Sequence, residues 1–174
     1  MNLQVDGRAA FAYTADHAVD PAKRTVVFVH GAGLDHPWFG LQSRYFGYHG
    51  FNVLALDLPA HGKSAGPALA SVPAMADWVL KLLDALKISK VNVVGHSMGT
   101  LIAMDCAARH PERVERIALI ATASPMKVGE AYLEAARKNG VPRIPIQQRP
   151  LEAAQDSLDD LKAGRVIGRV VLQP

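Results

Sequence analysis

Short apolar runs rich in β-branched residues alternate with stretches of helical periodicity along most of this chain. Thr25–Val29 (TVVFV), Phe51–Leu56, Val91–Val94 and Val114–Ile120 are near-continuous apolar runs of strand length, the pattern of strands buried on both faces. Ahead of them, Leu3–Val5 and Ala9–Tyr13 flank Asp6-Gly7, a two-residue hairpin signal. Residues 37–48 read as a helix carrying several aromatics. Over residues 72–87, Val72, Met75, Ala76, Val79, Leu80, Leu83 and Leu86 fall at helical spacing, opposite Asp77, Lys81, Asp84 and Lys87. Ser71 suits the N-cap of that helix, and Pro73 its first turn. A nearly all-apolar helix follows from Met98 to about Ala108, where Arg109 and His110 suit the negative C-terminal end and Pro111 stops it. Strand, helix, strand, helix with short connections predicts an α/β architecture, a mostly parallel sheet with helices on both faces. Such sheets bind ligands at the carboxyl ends of their strands.

Composition narrows the class without changing it. The chain has 174 residues, 49% hydrophobic and 20% charged, the profile of a soluble globular protein of about one domain. Its net charge is +3, with Lys and Arg scattered apart from a mildly basic Lys162, Arg165 and Arg169. A nucleic-acid footprint would be clustered, so no nucleic-acid partner is expected. The single cysteine, Cys106, allows no internal disulfide and reads as a small buried hydrophobe. No apolar run approaches the roughly 20 residues that span a bilayer, so no membrane partner is expected. The start MNLQVDGRAAF has no charged lead before an apolar core, which makes the cytoplasm the default location.

The chemistry gathers at the strand ends. Gly95-His96-Ser97-Met98-Gly99 is a G-x-S-x-G set between a buried strand and a buried helix, the context a nucleophile elbow requires. A strand reversing into a helix within a few residues forces Ser97 into a strained backbone state. Gly95 and Gly99 allow the neighbouring backbones to close in, and the hydroxyl is left on the tip beside the unpaired N–H groups of a helix start. His30-Gly31-Ala32-Gly33 follows the first buried strand, and its glycines let backbone N–H groups point at an anion. Paired with the N–H of Met98, one of these would form an oxyanion hole. Asp57-Leu-Pro-Ala-His-Gly-Lys-Ser64 ends the second strand and reads as a structural loop.

In this order and spacing, HGAG, DLPAHGKS and GHSMG resemble the α/β-hydrolase superfamily over about residues 3–139. The resemblance implies Ser97 as nucleophile and the N–H groups of Ala32 and Met98 as the oxyanion positions, with His30, Gly31, Gly33, Gly95, His96 and Gly99 as support. It also implies the N-terminal half of that fold, truncated, acting on an ester, thioester or similar acyl substrate. Ala60 departs from the pattern, since the family usually has glycine there. In the superfamily the acid and then the histidine follow the serine. Of the histidines at 17, 30, 36, 49, 61, 96 and 110, only His110 lies beyond Ser97, roughly 20 Å away along the helix. Strand alternation turns His96 away from the site, and His30 would be an unusual base on the oxyanion loop. With base and acid absent, a weak or inactive catalyst is expected. The alternative is a non-catalytic remnant or interaction protein that keeps the fold.

Residues 140–174 resemble instead the C-terminal end of zinc-dependent medium-chain alcohol dehydrogenases, through R-P-L-E-x-A and L-D-D-L-K-A-G-R-V-x-G-R-V-V-L. They hold neither a zinc-ligand cluster nor a G-x-G-x-x-G, so no cofactor and no metal are expected. They read as strand 143–146, helix 150–163 and strand 165–172, and a fusion near residues 139–141 is the simplest account. Residues 125–138 read as the start of a cap. The Val114–Ile120 edge would then lack the strands that follow it in the parent fold, opening it to self-association or to docking of the tail strand.

Overall fold

The computed structural model describes residues 1–122, 146–163, 165 and 169–173, and the chain divides into two compact units, Met1–Lys127 and Val128–Pro174. In the first, β1 (Asn2–Val5) pairs antiparallel with β2 (Arg8–Tyr13). Asp6 (φ 50°) and Gly7 (φ 74°) between them both adopt the left-handed conformation that a tight hairpin demands. There follow β3 (Thr25–Val29), a 3-10 turn (His36–Phe39), α1 (Gly40–Tyr48), β4 (Asn52–Asp57), α2 (Val72–Ala85), β5 (Val91–His96), α3 (Met98–Arg109) and β6 (Val114–Ile120). The six strands lie in the order β1-β2-β4-β3-β5-β6, with β3 to β6 mutually parallel and β2 antiparallel to β4. The predicted α/β architecture forms; the segment read as helix from residue 37 starts as a 3-10 turn, because Pro37 and Gly40 favour a tight entry.

Every residue of β3 and β4 is buried, and their side chains sort by parity. Val27, Val29, Leu54 and Leu56 pack with Leu82, Leu83 and Ile102 of α2 and α3, while Val26, Phe28, Val53 and Ala55 pack with Phe39 and Phe46. Each side chain buried this way contributes roughly 2 kcal/mol. Helix α2 starts as its sequence suggests: Ser71 Oγ accepts the Ala74 N–H at 3.3 Å, with proline in the first turn. Among the described residues no helix is long and apolar enough to cross a membrane.

The last strand departs from expectation. Val114–Ile120 reads as buried, but only Val114 is; Ile117, Leu119 and Ile120 are 40%, 36% and 43% exposed. Among the described residues β6 pairs on one side only, with β5. Beside it a groove of about 300 Å³ runs over Val26, Phe46, Phe51, Val94 and Ala118, because α1 covers this face of the sheet over β4 and leaves β5 half-buried.

The second unit contains β7 (Ile146–Pro150), a 3-10 turn (Leu151–Ala153), α4 (Ala154–Lys162) and β8 (Arg169–Gln173). β7 and β8 run parallel, Ile146 opposite Arg169, the arrangement a helical crossover produces. Arg149 donates to Asp160 (2.8 Å), Ser157 (3.3 Å) and Gln147 (3.1 Å). The described strand residues run on to Pro150 and Gln173, and residues 143–145 and 166–168 are outside the described residues. So are the cap segment 125–138 and the 139–141 junction. β8 pairs with β7, and a local crossover of this kind closes a short loop.

Candidate active site

Ser97 joins the end of β5 to the start of α3 with φ 51° and ψ −118°, a backbone state that costs an L-residue about 1–3 kcal/mol. The surroundings hold it there. The Ser97 N–H donates to the Ile120 carbonyl at 3.0 Å, and the Ser97 carbonyl accepts from Thr100 N–H (2.9 Å) and Thr100 Oγ1 (2.6 Å). A Cβ on Gly95 would run into the Gly99 carbonyl, and one on Gly99 into the Val29 carbonyl. Both positions therefore require glycine, and their contacts pack the bend against the end of β3.

The turn after β3 lies against this bend. Leu34 N–H donates to the Gly31 carbonyl at 3.2 Å, and Gly33 sits at φ 70°. A Cβ on Gly31 would fall 3.1 Å from both Ser97 Cβ and His96 Nδ1. Ala32, next along, is exposed, and its N–H takes no part in the turn's hydrogen bond. Met98 is the first residue of α3, so its N–H has no intrahelical acceptor and lies at the positive end of the helix.

His30 is fully buried, and both ring nitrogens are used. Nε2 accepts the Leu58 N–H at 3.1 Å, which leaves the proton on Nδ1 to donate to the Gly31 carbonyl at 2.7 Å. Burial lowers its pKa to about 4. A histidine so committed is a poor proton acceptor and a good brace. His96 is not turned from the site as alternation predicts: its ring stacks on Trp38 at 4.7 Å and flanks Gly31. Alternation holds within a strand, and the chain leaves strand geometry at Ser97. His110 caps the far end of α3, its N–H donating to the Cys106 carbonyl at 2.9 Å. Burial pushes the Cys106 thiol up to about 11, so it is inert at neutral pH. No group of three potential metal ligands clusters among the described residues.

One pair has no sequence signal. The buried Asp57 carboxylate accepts His36 N–H (2.7 Å), His36 Nδ1 (3.0 Å) and Lys63 N–H (2.8 Å). Ser64 Oγ donates to the Asp57 carbonyl and accepts the Phe11 N–H, and a Cβ on Gly62 would strike the Asp57 carboxylate. The DLPAHGKS segment is thus a structural loop wrapped around a buried acid. Ala60 within it sits at φ 64°, which accounts for the glycine usual there.

A profile of the α/β hydrolase fold matches residues 24–139. The chain belongs to the α/β-hydrolase family. It is 34% identical over 96 residues to the (E)-2-((N-methylformamido)methylene)succinate hydrolase of Acinetobacter baylyi, covering 55% of this chain and 36% of that one. It is 41% identical over 111 residues to the dihydrolipoyllysine-residue acetyltransferase component of the acetoin cleaving system of Cupriavidus necator, covering 62% and 28%. The solved enol-lactonase of Burkholderia xenovorans LB400 superposes with a TM-score of 0.70 at 28% identity, covering 92% of this chain and 58% of that one. The chain therefore spans well under two thirds of these relatives. Its six-stranded sheet has the architecture of the N-terminal half of an α/β-hydrolase.

Proposed function

We propose that this chain is a serine-hydrolase module for ester, thioester or similar acyl compounds, with Ser97 as nucleophile. The observation that carries the reading is the contact at Gly31, which sets the turn bearing the Ala32 N–H against the strained Ser97 bend. In this reading Ser97 Oγ adds to the acyl carbonyl carbon and charge moves onto the carbonyl oxygen, between the N–H groups of Ala32 and Met98. Collapse expels the alcohol or thiol, and water releases the acid from the acyl-serine. A lactone is an internal ester, so likeness to an enol-lactonase supports the substrate class.

The serine proton needs an acceptor, and the only histidine after Ser97 is His110, at the opposite end of α3. Loss of the imidazole costs about a million-fold in turnover from a complete triad, so the reading requires a base from outside these 174 residues, in a longer chain or a partner. The competing reading, a non-catalytic remnant that keeps the fold, rests on this same shortfall. Incubating the protein and Ser97→Ala with a fluorophosphonate probe and with p-nitrophenyl acetate separates the two. Labelling and turnover lost in the variant identify a hydrolase, and equal background in both identifies the remnant.

In the same reading residues 140–174 are a segment of alcohol-dehydrogenase type joined near 139–141, without cofactor or metal. The support for this is the R-P-L-E-x-A and L-D-D-L-K-A-G-R-V-x-G-R-V-V-L pattern of these residues. Sequencing the genomic codons for residues 135–145 in several isolates tests it: a natural junction recurs, whereas an assembly artefact does not.

A further inference from the structure

The turn that carries Ala32 is tied at both ends to one corner of the molecule, Asp57–Leu58 at the end of β4. At its start, the His30 Nε2 accepts the Leu58 N–H. At its finish, the backbone N–H and Nδ1 of His36 both reach the Asp57 carboxylate, at 2.7 Å and 3.0 Å. That carboxylate is fully buried and the His36 side chain is 15% exposed, packed against Phe11 at 4.8 Å and Tyr13 at 6.0 Å. Two residues on, Trp38 stacks on His96, the neighbour of Ser97.

We infer that His36 is a positioning residue: with His30 it clamps the 31–35 turn to the Asp57–Leu58 corner and so sets where the Ala32 N–H stands relative to Ser97. The inference deepens the proposed function and rests on it for the role of the N–H, but the clamp itself rests on geometry alone. A ring bonded to a buried carboxylate in low dielectric is held far more firmly than an exposed side chain would be. A donor aimed at a developing oxyanion helps only if it is in place before the charge forms. The His36 backbone N–H survives substitution by asparagine or leucine, so the clamp's specific contribution is the Nδ1 bond and the ring packing. Asparagine carries a donor at the position of Nδ1, and leucine has a similar shape without one.

The test compares wild type, His36→Asn and His36→Leu in the full chain. Hydrogen exchange is read at Leu34 and Trp38, whose amides bond Gly31 and Asp35 within the turn region, with Val27 and Leu54 as sheet controls. In His36→Leu the first two amides are expected to exchange about tenfold faster with the controls unchanged, and in His36→Asn to keep most of their protection. Equal exchange in all three proteins, or equal loss in both variants, overturns the clamp. Fluorophosphonate labelling of Ser97 is expected to slow about tenfold in His36→Leu and recover in His36→Asn. Faster exchange with undiminished labelling makes the pair structural only and overturns the positioning role. If wild type is not labelled at all, the Ser97 reading fails instead, and exchange alone decides the clamp.

Discussion

At the scale of single residues, the first unit concentrates strain and buried polarity around one corner. His30 is neutral because burial costs it its charge, and its tautomer is set by a donor on one side and an acceptor on the other. Its pKa is about 6.5 unfolded and about 4 folded, so between those values the unfolded state binds more protons. Stability from this group is complete above pH 6.5, is lost as pH falls toward 4 and is flat below, a total on the order of 3 kcal/mol. Urea unfolding across pH 4–7 should show that slope, and the imidazole signal of His30 should not titrate above pH 5. Ala60 makes an opposite case. Its left-handed backbone (φ 64°) is unfavourable with a Cβ, and the residue is exposed. Ala60→Gly is therefore expected to stabilise by about 0.5–1 kcal/mol, read as a higher urea midpoint with unchanged slope.

At the scale of elements, boundaries followed from local chemistry wherever that chemistry was local. Asp6-Gly7 set the hairpin, Ser71 capped α2, and Pro111 closed α3 at its neighbour. The C-terminus of α2 is a six-to-one and five-to-two pair of hydrogen bonds: Ile88 N–H to Leu83 and Lys87 N–H to Asp84. Lys87 takes the left-handed position (φ 57°) and Ile88 tucks into the core, the Schellman arrangement. Lysine is not suited to that conformation, so Lys87→Gly should raise stability by about 1 kcal/mol in the same unfolding assay. The entry to α1 was less legible, since proline and glycine near a helix start fit a 3-10 turn as well as an α-turn. The strands of the second unit were the least legible. Their residue types suit strands over a long stretch, and pairing decides which residues count.

At the scale of the whole molecule, β6 stands out. Among the described residues this seven-residue strand pairs on one side only, with Ile117, Leu119 and Ile120 exposed, and an edge of that kind presents a template for another chain. We propose that it drives self-association. Sedimentation velocity should show concentration-dependent growth for wild type, reduced in Leu119→Lys, which puts a charge where a second strand would pair. Identical behaviour of the two proteins would remove the edge from consideration. The β5-facing side of this strand bears on the bend, because the Ser97 N–H donates to the Ile120 carbonyl at its end.

By itself, the sequence determined the alternation of strands and helices, the bend at Ser97 and the need for glycine at position 95, where a Cβ would meet Gly99. All of these follow from interactions among residues close along the chain. Only the tertiary structure decided that His36 meets Asp57 across 21 positions, that His30 is spent on Leu58, and that His96 faces the turn. It also decided that, among the described residues, β6 pairs on one side only and that β8 pairs with β7. Those outcomes depend on which segments lie side by side once apolar surface is buried, and periodicity along one segment carries no record of its neighbours.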